Sequence, residues 1–171
     1  TRLLKQLLDS NESKVAWDLF HKMVENNAVN EFHFSVMMKA CDTSNEIREW
    51  INKMLDDDDD INIRPNLFTY TTLVSQLMIE GKADDAQHIV EVEMPAAEVE
   101  ADNKVKNLLR TDDDIWLRKR TSLLRKFLES KNTQSAWIFF NTMMENNAAN
   151  EIHANVMMMA CNTSVQKLEL M

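Results

Sequence analysis

The sequence predicts an all-α chain of antiparallel helix-turn-helix repeats, and three observations carry that prediction. One Gly and two Pro in 171 residues leave almost nothing for the tight turns of a β-sandwich, a phosphate-cradling loop or a dinucleotide fold. Apolar residues recur at i, i+3 and i+4 through most of the chain, which is the spacing of one helix face. Residues 1–44 also align without a gap on residues 121–164, with about half the positions identical, and self-similarity at a fixed offset marks a repeat architecture.

Leu3, Leu4, Leu7 and Leu8 make the first apolar stripe, and Val15, Ala16, Leu19, Phe20 and Met23 make the second. A third helix is expected after Asn30, with Phe32, Val36, Met37, Ala40 and Cys41 on its apolar side, and a fourth after Ser44, with Ile47, Trp50, Ile51 and Met54. Ser13, Asn30, Ser44 and Asn66 are the expected N-caps, because short polar side chains bond the free N–H groups that open a helix. The five carboxylates Asp56 to Asp60 repel one another and read as a solvated loop. Pro65 then precedes a helix pair, Phe68 to Glu80 and Ala83 to Glu93, expected to end at Pro95. Asn103 to Arg110 leaves room for one short helix. Asp112, Asp113 and Asp114 favour the start of the next, whose stripe Trp116, Arg120, Leu123 and Phe127 runs into the second copy.

The units are therefore 1–30, 31–66, 67–102, an irregular 103–120, 121–150 and a partial 151–171, together one helical-repeat array. The chain is expected to be an excerpt of a longer array, because a terminal repeat normally carries a polar cap, whereas Leu168, Leu170 and Met171 are apolar. Matched pairs such as Ala16 with Ala136, Phe20 with Phe140 and Cys41 with Cys161 read as duplicated packing positions. Trp17 and Trp137 are expected to make equivalent contacts between helix pairs.

The acidic side chains number 28 and the basic ones 19, for a net charge of −9. No apolar run approaches the length of a membrane span. The two cysteines, Cys41 and Cys161, are too few for a disulfide scaffold or a thiolate metal site, and read as buried packing residues. His21, His33, His88 and His153 read as polar surface histidines, none of them with a metal-spaced partner. The Asp56 to Asp60 run lacks the Gly turn and the following Glu of a calcium loop. No nucleophile triad or acid/base pair stands out, so neither an enzyme nor a cofactor is expected.

Two segments carry a family resemblance. RPNLFTYTTLVSQLMIEGKADDAQHIVEVEMPAAEVEAD, residues 64–102, resembles a pentatricopeptide repeat (PPR) in its Pro-Asn before the helix, the Thr69-Tyr70 pair, the Leu73, Val74 and Leu77 stripe, Gly81 at the inter-helix turn and the Asp85-Ala86 opening. VNEFHFSVMMKAC, residues 29–41, is similar to the family's common helix-opening segment. The departures are the insertion at Asp56 to Asp60, the short turn around Asp42, an extra residue near Pro95 and the truncated unit at 103–120. The resemblance implies a right-handed superhelical α-solenoid in a mitochondrion or chloroplast. It implies single-stranded RNA as the partner, bound sequence-specifically in RNA processing, stability or translation, with one base per repeat read by two side chains. The alternative is a non-catalytic scaffold subunit that holds other proteins of an organellar assembly.

Carried over, the base-reading pairs are Thr1 with Asn30, Ser35 with Asn66, Thr71 with Asp102, and Thr121 with Asn150, while Asn155 begins a fifth. A hydroxyl followed by Asn implies adenine, and Thr followed by Asp implies guanine. The Asp102 assignment needs one inserted residue near Pro95; otherwise Ala101 takes its place. Asn30, Asn66, Asp102 and Asn150 also stand where N-caps belong, so capping alone is an alternative reading of each.

Overall fold

The structure, a computed structural model, describes residues 1–10, 12–56, 63–110 and 113–168, with the backbone alone at 113 and 161–168. The described residues are helical, with no strand among them. The first unit pairs α1 (Arg2–Asp9) with α2 (Ser13–Glu25), and the second pairs α3 (Glu31–Met38) with α4 (Ser44–Leu55). The third joins α5 (Leu67–Glu80) to α6 (Ala83–His88), which continues through a π-helical turn, Ile89–Glu93, into α7 (Met94–Ala96). Then follow α8 (Asn103–Leu109), α9 (Asp113–Glu129), α10 (Thr133–Glu145) and α11 (Glu151–Leu168). The expected loop at Asp57 to Asp60, Asp112, the Asp113 side chain and the burial of Cys161 lie outside the described residues.

The helix ends explain the abundance of asparagine. Asn30 Oδ1 accepts the His33 N–H, and Asn66 Oδ1 accepts those of Phe68 and Thr69, so both cap as expected. Asn27 and Asn147 have φ of 50° and 52°, the left-handed conformation that asparagine tolerates better than most residues. Each sits in a turn where the next N–H returns to a carbonyl five residues back, Ala28 to Met23 at 2.8 Å and Ala148 to Met143 at 2.7 Å. Asn26 and Asn146 each donate from Nδ2 to the carbonyl four residues earlier.

Three expected boundaries move. α2 starts at Ser13, with Glu12 as an N-cap that makes no side-chain bond. Thr43, not Ser44, caps α4: its hydroxyl accepts the Glu46 N–H, and the Ser44 N–H goes to Glu80 Oε1 at 2.6 Å. Pro95 does not end its helix. Lacking an N–H and crowding the carbonyl four residues earlier, it is accommodated by the wider π turn immediately before it.

Successive first helices pack in series, α1 on α3, α3 on α5 and α5 on α8. α5 also receives α9 and α10, so the second copy docks across the C-terminal end of α5. Three contacts hold it there. Arg120 donates to the carbonyls of Met78 and Ile79 at the end of α5, both at 2.9 Å, the Met78 carbonyl also accepting the Gly81 N–H. Ser135 Oγ donates to Asp42 Oδ2 at 2.9 Å. Gly81, at φ 84°, lies directly against Ala148, where a Cβ would collide. Two apolar cores result. One runs from Leu4 to Trp116, the other joins Leu124, Phe127, Ala136, Phe139, Met143 and Met157, and Ile79 packs against both.

Candidate nucleic-acid interface

Two connected grooves follow from this packing. The larger, about 1280 Å³, is walled by α1 to α5 and α9; the smaller, about 690 Å³, lies between α3, α5 and α8. Lys39, Phe68, Gln76 and Lys119 line both, so they form one continuous surface.

The larger groove gathers Lys5, Lys14, Lys39, Lys53, Lys119 and Lys126, against the carboxylates of Asp9, Asp42, Glu46 and Glu49. It is locally basic in a chain of net charge −9. Two of those carboxylates are engaged within the fold: Asp42 accepts from Ser135, and Glu46 accepts the Asp42 N–H at 2.9 Å. Burial raises the Glu46 carboxyl above its ordinary range, the nearby Asp42 and Glu49 charges adding to the effect. Trp17, Trp50, Phe32 and Phe68 add ring surface. Lys39 lies 4.9 Å from the centre of the Phe68 ring and Lys53 4.5 Å from that of Trp50, a cation–π arrangement that holds each ammonium at the groove.

The expected base-reading residues divide between this surface and the rest of the fold. Thr1 and Ser35 line the larger groove; Asn66, Thr71 and Asp102 line the smaller. Asn30, Thr121, Asn150 and Asn155 line neither. Thr71 Oγ donates to the Leu67 carbonyl and Thr121 Oγ to that of Leu117. Asp102 Oδ1 accepts the Val105 N–H at 2.9 Å, so all four residues expected at repeat ends are helix caps.

No protein-family model matches the chain, and no curated protein matches it significantly. No cluster of three His, Cys, Asp or Glu side chains suited to a metal ion occurs among the described residues. No helix among them is long and apolar enough to cross a membrane.

The equivalent histidines of the two copies take part in helix capping. His153 is fully buried, not a surface residue, and His33 is half-buried. Each Nδ1 accepts an asparagine backbone N–H at 3.1 Å, from Asn30 and Asn150 respectively, while that asparagine side chain accepts the histidine N–H. This is a capping box with histidine in the place usually taken by Glu or Gln. The bond requires an unprotonated Nδ1. Burial lowers both imidazole pKa values, with the Arg120 charge adding to the effect at His153. The Asn-x-x-His spacing was visible in the sequence and could have revealed it. Cys41 is buried as expected, and burial pushes its thiol well above the ordinary range.

Proposed function

We propose that this chain binds single-stranded RNA along the lysine- and aromatic-lined surface between α1, α3, α5 and α9, as a PPR-like solenoid. The observation that supports it is the gathering of six lysines and five large aromatic side chains in the lining of one groove of an otherwise acidic chain. Lysines that neutralise phosphates release counterions, and rings offer stacking platforms to unpaired bases. Thr71, Asn66 and Asp102 on the adjoining surface are the residues proposed to discriminate bases, with Asp102 favouring guanine. By the same resemblance, the site of action is a mitochondrion or chloroplast, in RNA processing, stability or translation.

Filter binding of the full chain to a pool of short RNAs at two salt concentrations tests this. Lys39→Ala and Lys119→Ala should each weaken binding across sequences and lower the salt slope by about 1. Asp102→Asn should shift preference toward adenine at one base while keeping the α8 cap. Absence of any salt-sensitive RNA affinity in the full chain overturns the reading. A second reading, a scaffold subunit of an organellar assembly, is favoured by the exposed apolar side chains of α10 and α11, among them Trp137, Ile138 and Met158.

A further inference from the structure

The internal duplication indicates what the exposed α10–α11 face accepts. In the first copy Trp17 and Phe20 meet edge to face, with ring centres 5.9 Å apart at 75°. In the second copy Trp137 and Phe140 keep that arrangement, 6.2 Å apart at 82°. The first pair has a third member. Trp50 of α4 lies 6.1 Å from Trp17, 5.2 Å from Phe20 and 5.7 Å from Phe34, and α4 buries Ile47, Ile51 and Met54 beside it. No such helix lies on the second pair among the described residues. α11 runs unbroken from Glu151 to Leu168, through the positions where the first copy turns from α3 into α4. Trp137 is accordingly 43% exposed, and Met158 is 56% exposed where its counterpart Met38 is 1% exposed.

We infer that the α10–α11 face is a docking site for an amphipathic α-helix of α4's chemistry, one presenting a tryptophan with apolar residues at i−3, i+1 and i+4. Trp50 has Ile47, Ile51 and Met54 at those offsets. The tryptophan would enter beside Trp137 and Phe140, as Trp50 enters beside Trp17 and Phe20, and the flanking apolar residues would cover Met158. A half-exposed aromatic pair held in its packed geometry is the feature expected of a groove that receives a helix through i, i+3 and i+4 anchors. This surface is separate from the lysine groove, so occupation of one does not require the other.

The test uses the full chain and a fluorescein-labelled peptide with the sequence of residues 43–56. A lactam from a lysine placed at position 45 to Glu49, both positions exposed in α4, holds the peptide helical, so that ordering does not mask affinity. Fluorescence anisotropy should show saturable binding. Trp137→Ala in the chain, Met158→Lys in the chain, or Trp50→Ala in the peptide should each weaken it by about tenfold or more. Trp17→Ala, on the face already covered by the chain's own α4, should leave it unchanged, as should added RNA. Helical circular dichroism checks that each variant is folded, and Met158→Lys, at an exposed position, keeps the test decisive if Trp137→Ala misfolds. Absence of peptide binding, or binding indifferent to both chain variants, overturns the inference. So does a chain dimer that Trp137→Ala dissolves and the peptide cannot displace, which would assign the face to a second copy.

Discussion

Trp17 and Trp137 hold the same place in two copies of one sequence, yet Trp17 is stacked on Trp50 while Trp137 is 43% exposed. The expected equivalence of their contacts does not hold. Along the two copies some positions keep their burial: Leu4 and Leu124, Ala16 and Ala136, Met37 and Met157 are all 3% exposed or less. Others exchange roles. Phe20 is fully buried and Phe140 half-buried, whereas Phe139 is buried and its counterpart Leu19 half-buried. Leu4 and Ala16, with their counterparts, lie on the two helices of one pair, and Met37 and Met157 lie on the helix that follows it. Of those that differ, Trp17 and Phe20 meet Trp50 of the neighbouring α4, a contact that Trp137 and Phe140 lack among the described residues. Repeat sequence therefore specifies a helix pair, while the neighbour specifies how its outer face is used.

The largest effect should come from separating these two classes. Phe20→Ala removes a fully buried ring and should cost about 3–5 kcal/mol. Phe140→Ala, at the half-buried equivalent, should cost roughly half of that or less. Equal losses in denaturant unfolding of the two variants would mean that the copies are packed alike and would break the comparison.

Docking of the second copy on α5 comes next. Gly81→Ala forces a left-handed residue with a Cβ, costing about 1–2 kcal/mol from conformation alone, and adds a collision with Ala148. Adding Ala148→Gly should recover the collision part and leave the conformational part. A double variant no more stable than Gly81→Ala would show that the turns of α5 and α10 do not meet.

What was legible in the sequence follows the same division. The helices, the Asn30 and Asn66 caps and the short α8 could be read because their causes lie within a few residues. Ser44 reads as a cap from its neighbours alone, but its N–H goes to Glu80, which is remote in sequence and 2% exposed, held by Lys82 and Gln76 as well. Phe32 falls on the expected apolar stripe but is 71% exposed, and Phe34, off that stripe, is buried against Trp50. The groove was not legible at all. Its lysines come from α1, α2, the residue that caps the end of α3, α4 and α9, and only the docking of α9 on α5, through Arg120, brings the last of them to the others.

The capping histidines give a pH-dependent version of the comparison. Because the folded pKa of each is lowered, the unfolded chain binds more protons. Their contribution is complete above the ordinary histidine value of about 6.5 and declines as pH falls below it toward the folded value. His153→Gln retains an N3 side chain suited to a capping box but does not titrate, so it should flatten the fall in stability below pH ~6.5. His33→Gln should flatten it less, because His33 is half-buried while His153 is fully buried beside Arg120. Unfolding curves at a series of pH values check both, and a parent whose stability is level across that window would contradict the sign.

The smallest expected effect is the sharpest test of where the copies should agree. Asn27 and Asn147 occupy left-handed turns of the same geometry, closed by the same backbone bonds and both solvent-exposed. Glycine adopts that conformation without a Cβ penalty, so Asn27→Gly and Asn147→Gly should each change stability by no more than about 0.5 kcal/mol. The two changes should also share a sign, since a left-handed turn responds to its own backbone and not to its neighbours. Paired thermal melts measure this directly. If Asn147→Gly alone destabilises, the Asn147 side chain must contribute to the contact between Ala148 and Gly81. The turn of the second copy would then belong to the tertiary class and not to the local one.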